Sequence, residues 1–155
     1  MKYTFVKIFW FFANPVKKVY WFIFRPKTRG AKCIVENNGK ILLVKLNYAH
    51  HKWTIPGGGV QKKESFLEAA IREVKEETVI DVSNPIYVGF YKTNREYKED
   101  TVEIYFFNSS IIEIKIDSME IEKAGWFEKH ALPEDRSPAV DKILKVYDEY
   151  RSIKN

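Results

Sequence analysis

The sequence predicts an α/β (α+β) domain preceded by a short N-terminal helical segment. Three observations predict it. Short apolar runs bounded by turn residues recur through the chain, which is strand patterning. The glycine-rich turn Gly57-Gly58-Gly59 runs into an acidic stretch whose apolar residues recur at helical spacing. A second helical pattern closes the chain after Ser137-Pro138. At 155 residues, 45% of them hydrophobic and 30% charged, the chain is long enough for one domain with a real core.

Residues 1–30 stand apart. Ten of the 24 aromatic residues fall there, interleaved with Lys2, Lys7, Lys17, Lys18, Arg25, Lys27 and Arg29. Pro15 divides the segment into two short helices, because the residue before a proline avoids the helical region. The apolar run Ile8–Ala13 is far too short to span a bilayer, and no small-residue cleavage site follows it as in a secretory signal. Two readings stay open. The aromatics pack on the domain or across a homodimer, or residues 1–25 lie on an anionic membrane surface.

The domain is expected from Ala31 to Asn155. Cys33-Ile34-Val35 and Ile41-Leu42-Leu43-Val44 read as two strands joined at Asn38-Gly39, a pair suited to the positive φ angles of a hairpin turn. Tyr48 to Trp53 is a polar and aromatic loop, in which His50 and His51 are either pocket residues or simply solvated. From about Glu64 to Thr78, Phe66, Leu67, Ala70, Ile71 and Val74 form an apolar helix face. Pro85 opens a strand through Ile86, Val88 and Phe90. The charged loop Arg95–Asp100 then turns into a second strand at Val102–Phe107, and is either a solvated hairpin tip or a substrate contact through Arg95. Val140, Ile143, Leu144 and Tyr147 line one face of the last helix.

Charge bounds the function. Residues 1–35 carry eight Lys/Arg and no acid, so the remaining 18 Lys/Arg and 21 Asp/Glu leave residues 36–155 at −3. A domain of that sign argues against a nucleic-acid-binding face. The single cysteine, Cys33, excludes an intramolecular disulfide, fits a cytoplasmic setting and reads as a small core residue.

The chemistry concentrates in the first helix. Glu73, Glu76 and Glu77 stand at i, i+3 and i+4, which puts their side chains on one side. Carboxylates that close repel one another unless a cation intervenes, and all-oxygen ligands suit a hard divalent ion, Mg²⁺ or Mn²⁺. Gly57–Gly59 leaves room for backbone to approach a phosphate or a metal, since no Cβ obstructs it.

This stretch resembles the Nudix hydrolase signature, Gly-x5-Glu-x7-Arg-Glu-U-x-Glu-Glu-x-Gly-U, where U is bulky and aliphatic. Gly58, Glu64, Arg72, Glu73, Val74, Glu76, Glu77 and Ile80 match in register, and Val79 replaces the glycine. Trp53-Thr54-Ile55-Pro56 is similar to the family's approach to that signature. Valine is a poor left-handed residue, so the helix is expected to run directly into an extended segment toward Asp81. Gln61 and Lys63 stand where many relatives carry an acid and a glycine.

The resemblance implies a three-layer αβα sandwich on a mixed sheet. It also implies metal-dependent hydrolysis of a nucleoside diphosphate linked to another moiety. By the match, Glu73, Glu76 and Glu77 are metal ligands, the Gly57 carbonyl is a further candidate ligand, and Glu64 with Arg72 forms a structural ion pair. Glu120 leads the candidates for general base, ahead of Glu103 and Glu99. Trp53, Tyr48 and Tyr91 are candidates for stacking on a base. Two other readings are a catalytically weak Nudix-like binding or regulatory module, and an adaptor held at the inner membrane surface by its N-terminus.

Overall fold

The computed structural model describes residues 27–95, 98–116 and 119–154. The expected helices within residues 1–26 lie outside the described residues. Among those described, the order is β1 (Lys27–Asn37), β2 (Lys40–Leu46), β3 (Trp53–Thr54), α1 (Phe66–Thr78), β4 (Ile86–Arg95), β5 (Lys98–Asn108), β6 (Ile121–Glu128) and α2 (Pro138–Lys154). A 3-10 turn at Ala49–His51 precedes β3.

The strands form one sheet in the order β3-β2-β1-β5-β4, with β6 also on β2. β1 and β2 are antiparallel, with Asn37 opposite Lys40. Asn38 (φ 48°) and Gly39 (φ 80°) supply the two left-handed residues of that turn. β5 runs parallel to β1, because Gly30 lies against Val102 and Asn37 Nδ2 donates to Ser109 O, each pair 72 residues apart. The sheet is therefore mixed. β6 is antiparallel to β2 from Lys40↔Glu128 to Leu46↔Ile121, with one irregularity between Lys45 and Leu46.

Strand alternation sorts the core onto two faces. Ala31, Cys33, Val35 and Leu42 pack with Ala69, Ala70 and Val74 of α1. Ile34, Ile41 and Leu43 pack with Val140, Ile143 and Tyr147 of α2. A helix on each face of the sheet gives the αβα layering. Burial pushes the Cys33 thiol up to about 12, so it stays protonated and behaves as an apolar side chain.

Of the described residues, those within 27–28 and 92–101 form one compact unit, and those within 29–91 and 102–154 another. Within the first, Thr28 Oγ1 donates to Asp100 at 2.8 Å.

Several elements differ from expectation. β1 begins at Lys27, four residues before the expected boundary at Ala31, because its early residues have backbone partners: Gly30 bridges Gly59 and Val60 N donates to Arg29 O at 2.9 Å. The first helix starts at Phe66 rather than Glu64. Ser65 caps it by accepting from Glu68 N at 3.1 Å, while Glu68 accepts from Ser65 N at 2.8 Å, a reciprocal capping box. Leu67 is exposed, and Ala69 takes its place in the core.

The exit of α1 is the sharpest difference. Val79 itself adopts the left-handed conformation, φ 60° and ψ 7°, and its N–H donates to Lys75 O. Lys63 is left-handed too, at φ 70°. Both positions keep the backbone that glycine would adopt, although a side chain there costs about 1–2 kcal/mol. Val79→Gly should therefore raise stability, by about 0.5–1 kcal/mol after the extra chain entropy of glycine, and lift the melting temperature by roughly 1–4 °C. Lys63→Gly should give a smaller gain, because lysine is unbranched at Cβ. Thermal unfolding of the two variants checks both, and a loss at Val79→Gly would refute the strain argument.

Candidate active site

β2 pairs with β1 at its start and with β3 at Val44 and Lys45, so the chain leaving β3 lies beside the free half of β1. Ala31 N donates to Gly58 O at 2.9 Å and Cys33 N to Pro56 O at 3.0 Å. Gly57 has φ +133°, and a Cβ there would stand 2.2 Å from Ala31 O. Only glycine fits so close an approach. A Cβ on Gly58 would stand 2.6 Å from the Glu73 carboxylate, so that glycine forms the wall on which Glu73 rests.

The glycine segment reaches α1 directly. Gly57 N donates to Glu77 Oε2 at 3.0 Å, and the Glu77 side chain is buried. Burial lifts its carboxyl to about 7, against the lowering pull of the Lys32 charge and of the Gly57 N–H. The partly buried Lys32 donates from Nζ to Ile55 O at 2.9 Å and also to Gly57 O. Burial pulls the Lys32 ammonium below the usual lysine range, while Glu77 and Glu73 pull it back up.

Arg72 holds the rest. Its Nε and Nη2 donate to the two oxygens of Glu64 at 2.7 and 3.1 Å, a bidentate pair. Nη1 donates to Glu73 at 2.7 Å and to Glu76 at 3.0 Å, and Nη2 to Gly59 O at 3.1 Å. The Arg72 hydrogen bonds and the Gln61 N–H hold the Glu64 carboxyl below the usual range.

Glu73, Glu76 and Glu77 line one cavity of about 670 Å³ with Lys75, Val79, Met119 and Glu120. Glu120 precedes β6, and Tyr48 Oη lies 3.5 Å from its Oε2. Burial, with the Glu120, Glu77 and Glu73 charges, pushes the Tyr48 phenol up to about 12, so it remains a donor.

Not every expected site residue meets the cavity. Trp53 packs edge-on against Phe127 at 4.9 Å, in the α2-facing core, and is not among the lining residues. Tyr91 also packs in that core. Glu103 accepts from Tyr105 Oη at 2.7 Å. His51 Nδ1 lies 3.1 Å from Glu122 Oε2, at the surface. The Arg95 side chain lies outside the described residues, and Glu99 belongs to the other unit. Lys32, Lys75 and Met119 are residues that the sequence did not single out. The signal for Lys32 was a charge placed between Ala31 and Cys33 in an apolar run; Met119 gave none.

The donor set suits a hard divalent ion in its chemistry: four carboxylates on one cavity, all oxygen. Among the described residues, no three acidic, histidine or cysteine side chains converge tightly enough to grip an ion as they stand. The reason is visible. Arg72 draws Glu73 and Glu76 onto its own guanidinium, and Glu77 is engaged by the Gly57 N–H. Release from Arg72 would leave the Glu73 and Glu76 carboxylates free within the cavity, while the bidentate Glu64 pair keeps the arginine in place.

The NUDIX domain family model matches residues 26–148. Nudix hydrolase 5 of Arabidopsis thaliana is 30% identical over 100 residues, covering 60% of this chain and 33% of the plant protein. The human diphosphoinositol polyphosphate phosphohydrolase NUDT4B is 31% identical over 93 residues, covering 59% of this chain and 51% of that one. These matches thus span about a third and about a half of the two relatives' lengths. The crystal structure of a MutT NUDIX hydrolase from Burkholderia pseudomallei superposes with a TM-score of 0.70 at 23% identity, over 77% of this chain and 96% of that one.

The raised Glu77 carboxyl makes metal-free stability depend on pH. Folded Glu77 keeps its proton up to about 7, whereas the unfolded group loses it near the ordinary glutamate value of 4.5. Between those values the folded state binds more protons, so its contribution to stability falls as pH rises. In chelator, the melting temperature should decline from pH 5 to pH 8, and Glu77→Gln should flatten that decline. A wild-type curve that rises over the same range would contradict the assignment.

Proposed function

We propose, from the premise that this chain belongs to the Nudix family, that it is a divalent-metal-dependent pyrophosphohydrolase. Its substrate class is a nucleoside diphosphate linked to another moiety. The observation that carries this reading is the shared cavity of Glu73, Glu76, Glu77 and Glu120 beside the glycine segment.

Glu73, Glu76 and Glu77 would hold the ion, Mg²⁺ or Mn²⁺. When bound, such an ion neutralises phosphate oxygens and lowers the pKa of a water. The chain supplies the rest. Gly57–Gly59 admits the diphosphate close to backbone. Arg72 gives up Glu73 and Glu76 and keeps Glu64, so the guanidinium stays as a fixed positive charge near the phosphates. Glu120 faces the helix carboxylates across the cavity and serves as base, taking the proton of the attacking water. The water oxygen forms the new bond to phosphorus. The bridging oxygen departs with the electron pair of the broken P–O bond, in line with the attack. Tyr48 Oη steadies Glu120 from behind.

The Arg72 contacts favour one second reading, a module that binds diphosphates with little turnover because its carboxylates stay paired. Phosphate release from a panel of nucleotide and sugar-nucleotide diphosphates with Mg²⁺ separates the two. The enzyme reading expects hydrolysis that Glu77→Gln lowers by about two orders of magnitude or more. Silence across the panel, with diphosphates still raising the melting temperature, selects the binding module. Gly58→Ala is a finer test. The added methyl displaces only the end of Glu73, so kcat/KM should fall by about tenfold or more while the melting temperature holds within about 2 °C.

A further inference from the structure

The Gly57 carbonyl is a backbone oxygen that the family signature offers as a candidate ion ligand. Its peptide is fixed by an N–H bond to Glu77 and by a φ of +133° that only glycine adopts comfortably. That carbonyl already has a partner of its own. Lys32 Nζ donates to it and, at 2.9 Å, to Ile55 O two residues earlier. The lysine is partly buried and comes from β1, the strand on which the glycine segment is docked. Two carbonyls from one loop converge on one amine, which is a built pocket for a cationic head rather than a chance surface contact.

We propose that Lys32 is a positioning residue that occupies the Gly57 carbonyl in place of an ion and confines metal binding to the helix carboxylates. This deepens the hydrolase reading above and rests on it. An amine donating to that oxygen occupies one of its two lone pairs, and a hard cation brought to the other, beside a protonated amine, is repelled. Lys32 also lies in the field of Glu77 and Glu73, so it supplies part of the positive charge that the acidic stripe requires. The site should then take one ion fewer than its oxygen donors would otherwise hold.

The test uses the full chain and Mn²⁺ alone as probe, with bound ions counted by the loss of free-Mn²⁺ electron paramagnetic resonance signal. Lys32→Met keeps an unbranched side chain one atom shorter and removes its donors. The expected result is one more Mn²⁺ per chain in Lys32→Met than in wild type. Equal stoichiometry overturns the proposal, whether both bind the ion or neither does. A wild type that binds no Mn²⁺ beside a variant that binds it sinks the metal-dependent hydrolase reading and leaves the Lys32 proposal standing. If Lys32→Met fails to fold, wild type labelled with ¹³C-carbonyl glycine decides. The Gly57 carbonyl resonance should hold its position as Mg²⁺ saturates the protein, and a saturable shift of that resonance refutes the assignment.

Discussion

The docking of the glycine segment on β1 is the constraint from which the site follows. Residues 56–60 exchange three backbone hydrogen bonds with Arg29, Ala31 and Cys33. They can come that close because Gly57 has no Cβ to meet Ala31 O. The same register aims Gly57 N at Glu77 and sets Gly58 against Glu73. One line of peptide bonds therefore joins the sheet to the acidic helix. Its rigidity comes from the sheet, since Ala31 and Cys33 have their side chains in the fully buried core beneath α1. A site on a docked segment of this kind is held more tightly than one on a free loop.

Within that frame, like charges are managed by two cations from different elements. Arg72 comes from α1 itself and gathers Glu64, Glu73 and Glu76. Lys32 comes from β1 and counters Glu77. The division matches the depth of each acid. Glu76 is largely exposed and pairs cheaply, whereas Glu77 is buried and would be costly as an anion without the Gly57 N–H and a nearby positive charge.

Much of this was legible in the sequence, and for definite reasons. Asn38-Gly39 announced its turn because positive φ is cheap there, and the helical period of Ala70 and Val74 announced the buried face of α1. The spacing of Glu73, Glu76 and Glu77 gave the side of the helix they share. The capping box was also readable, as Ser65-x-x-Glu68, and fixes a start that the Glu64 charge alone misplaced by two residues. Other features were not readable because they depend on packing. Trp53 looked like a ligand-stacking aromatic, but β6 brings Phe127 against it. Val79 looked like a forced change of route, but Thr78 and Ile80 are buried on either side and hold the turn in its left-handed form. Local preference lost there to tertiary context.

The same charge arrangement explains how such a site can exist before any ion arrives. Many small metal sites are assembled by the metal, so that binding energy is folding energy. Here every carboxylate of the signature already has a cationic or N–H partner, and among the described residues no buried side-chain nitrogen or oxygen lacks a hydrogen bond. The chain can thus fold around its acids without borrowing charge from solution. On the proposed function, an incoming divalent ion would compete with Arg72 for Glu73 and Glu76 rather than fill a waiting cage. Because the guanidinium keeps Glu64 through two parallel bonds, it need only turn its Nη1 edge away to concede them. Affinity for the ion would be set by that exchange, and a substrate phosphate that accepts hydrogen bonds from the freed Nη1 would tip it toward release. On this account, ion and diphosphate should bind with positive coupling, each strengthened by the other, and Arg72 is the part through which they communicate.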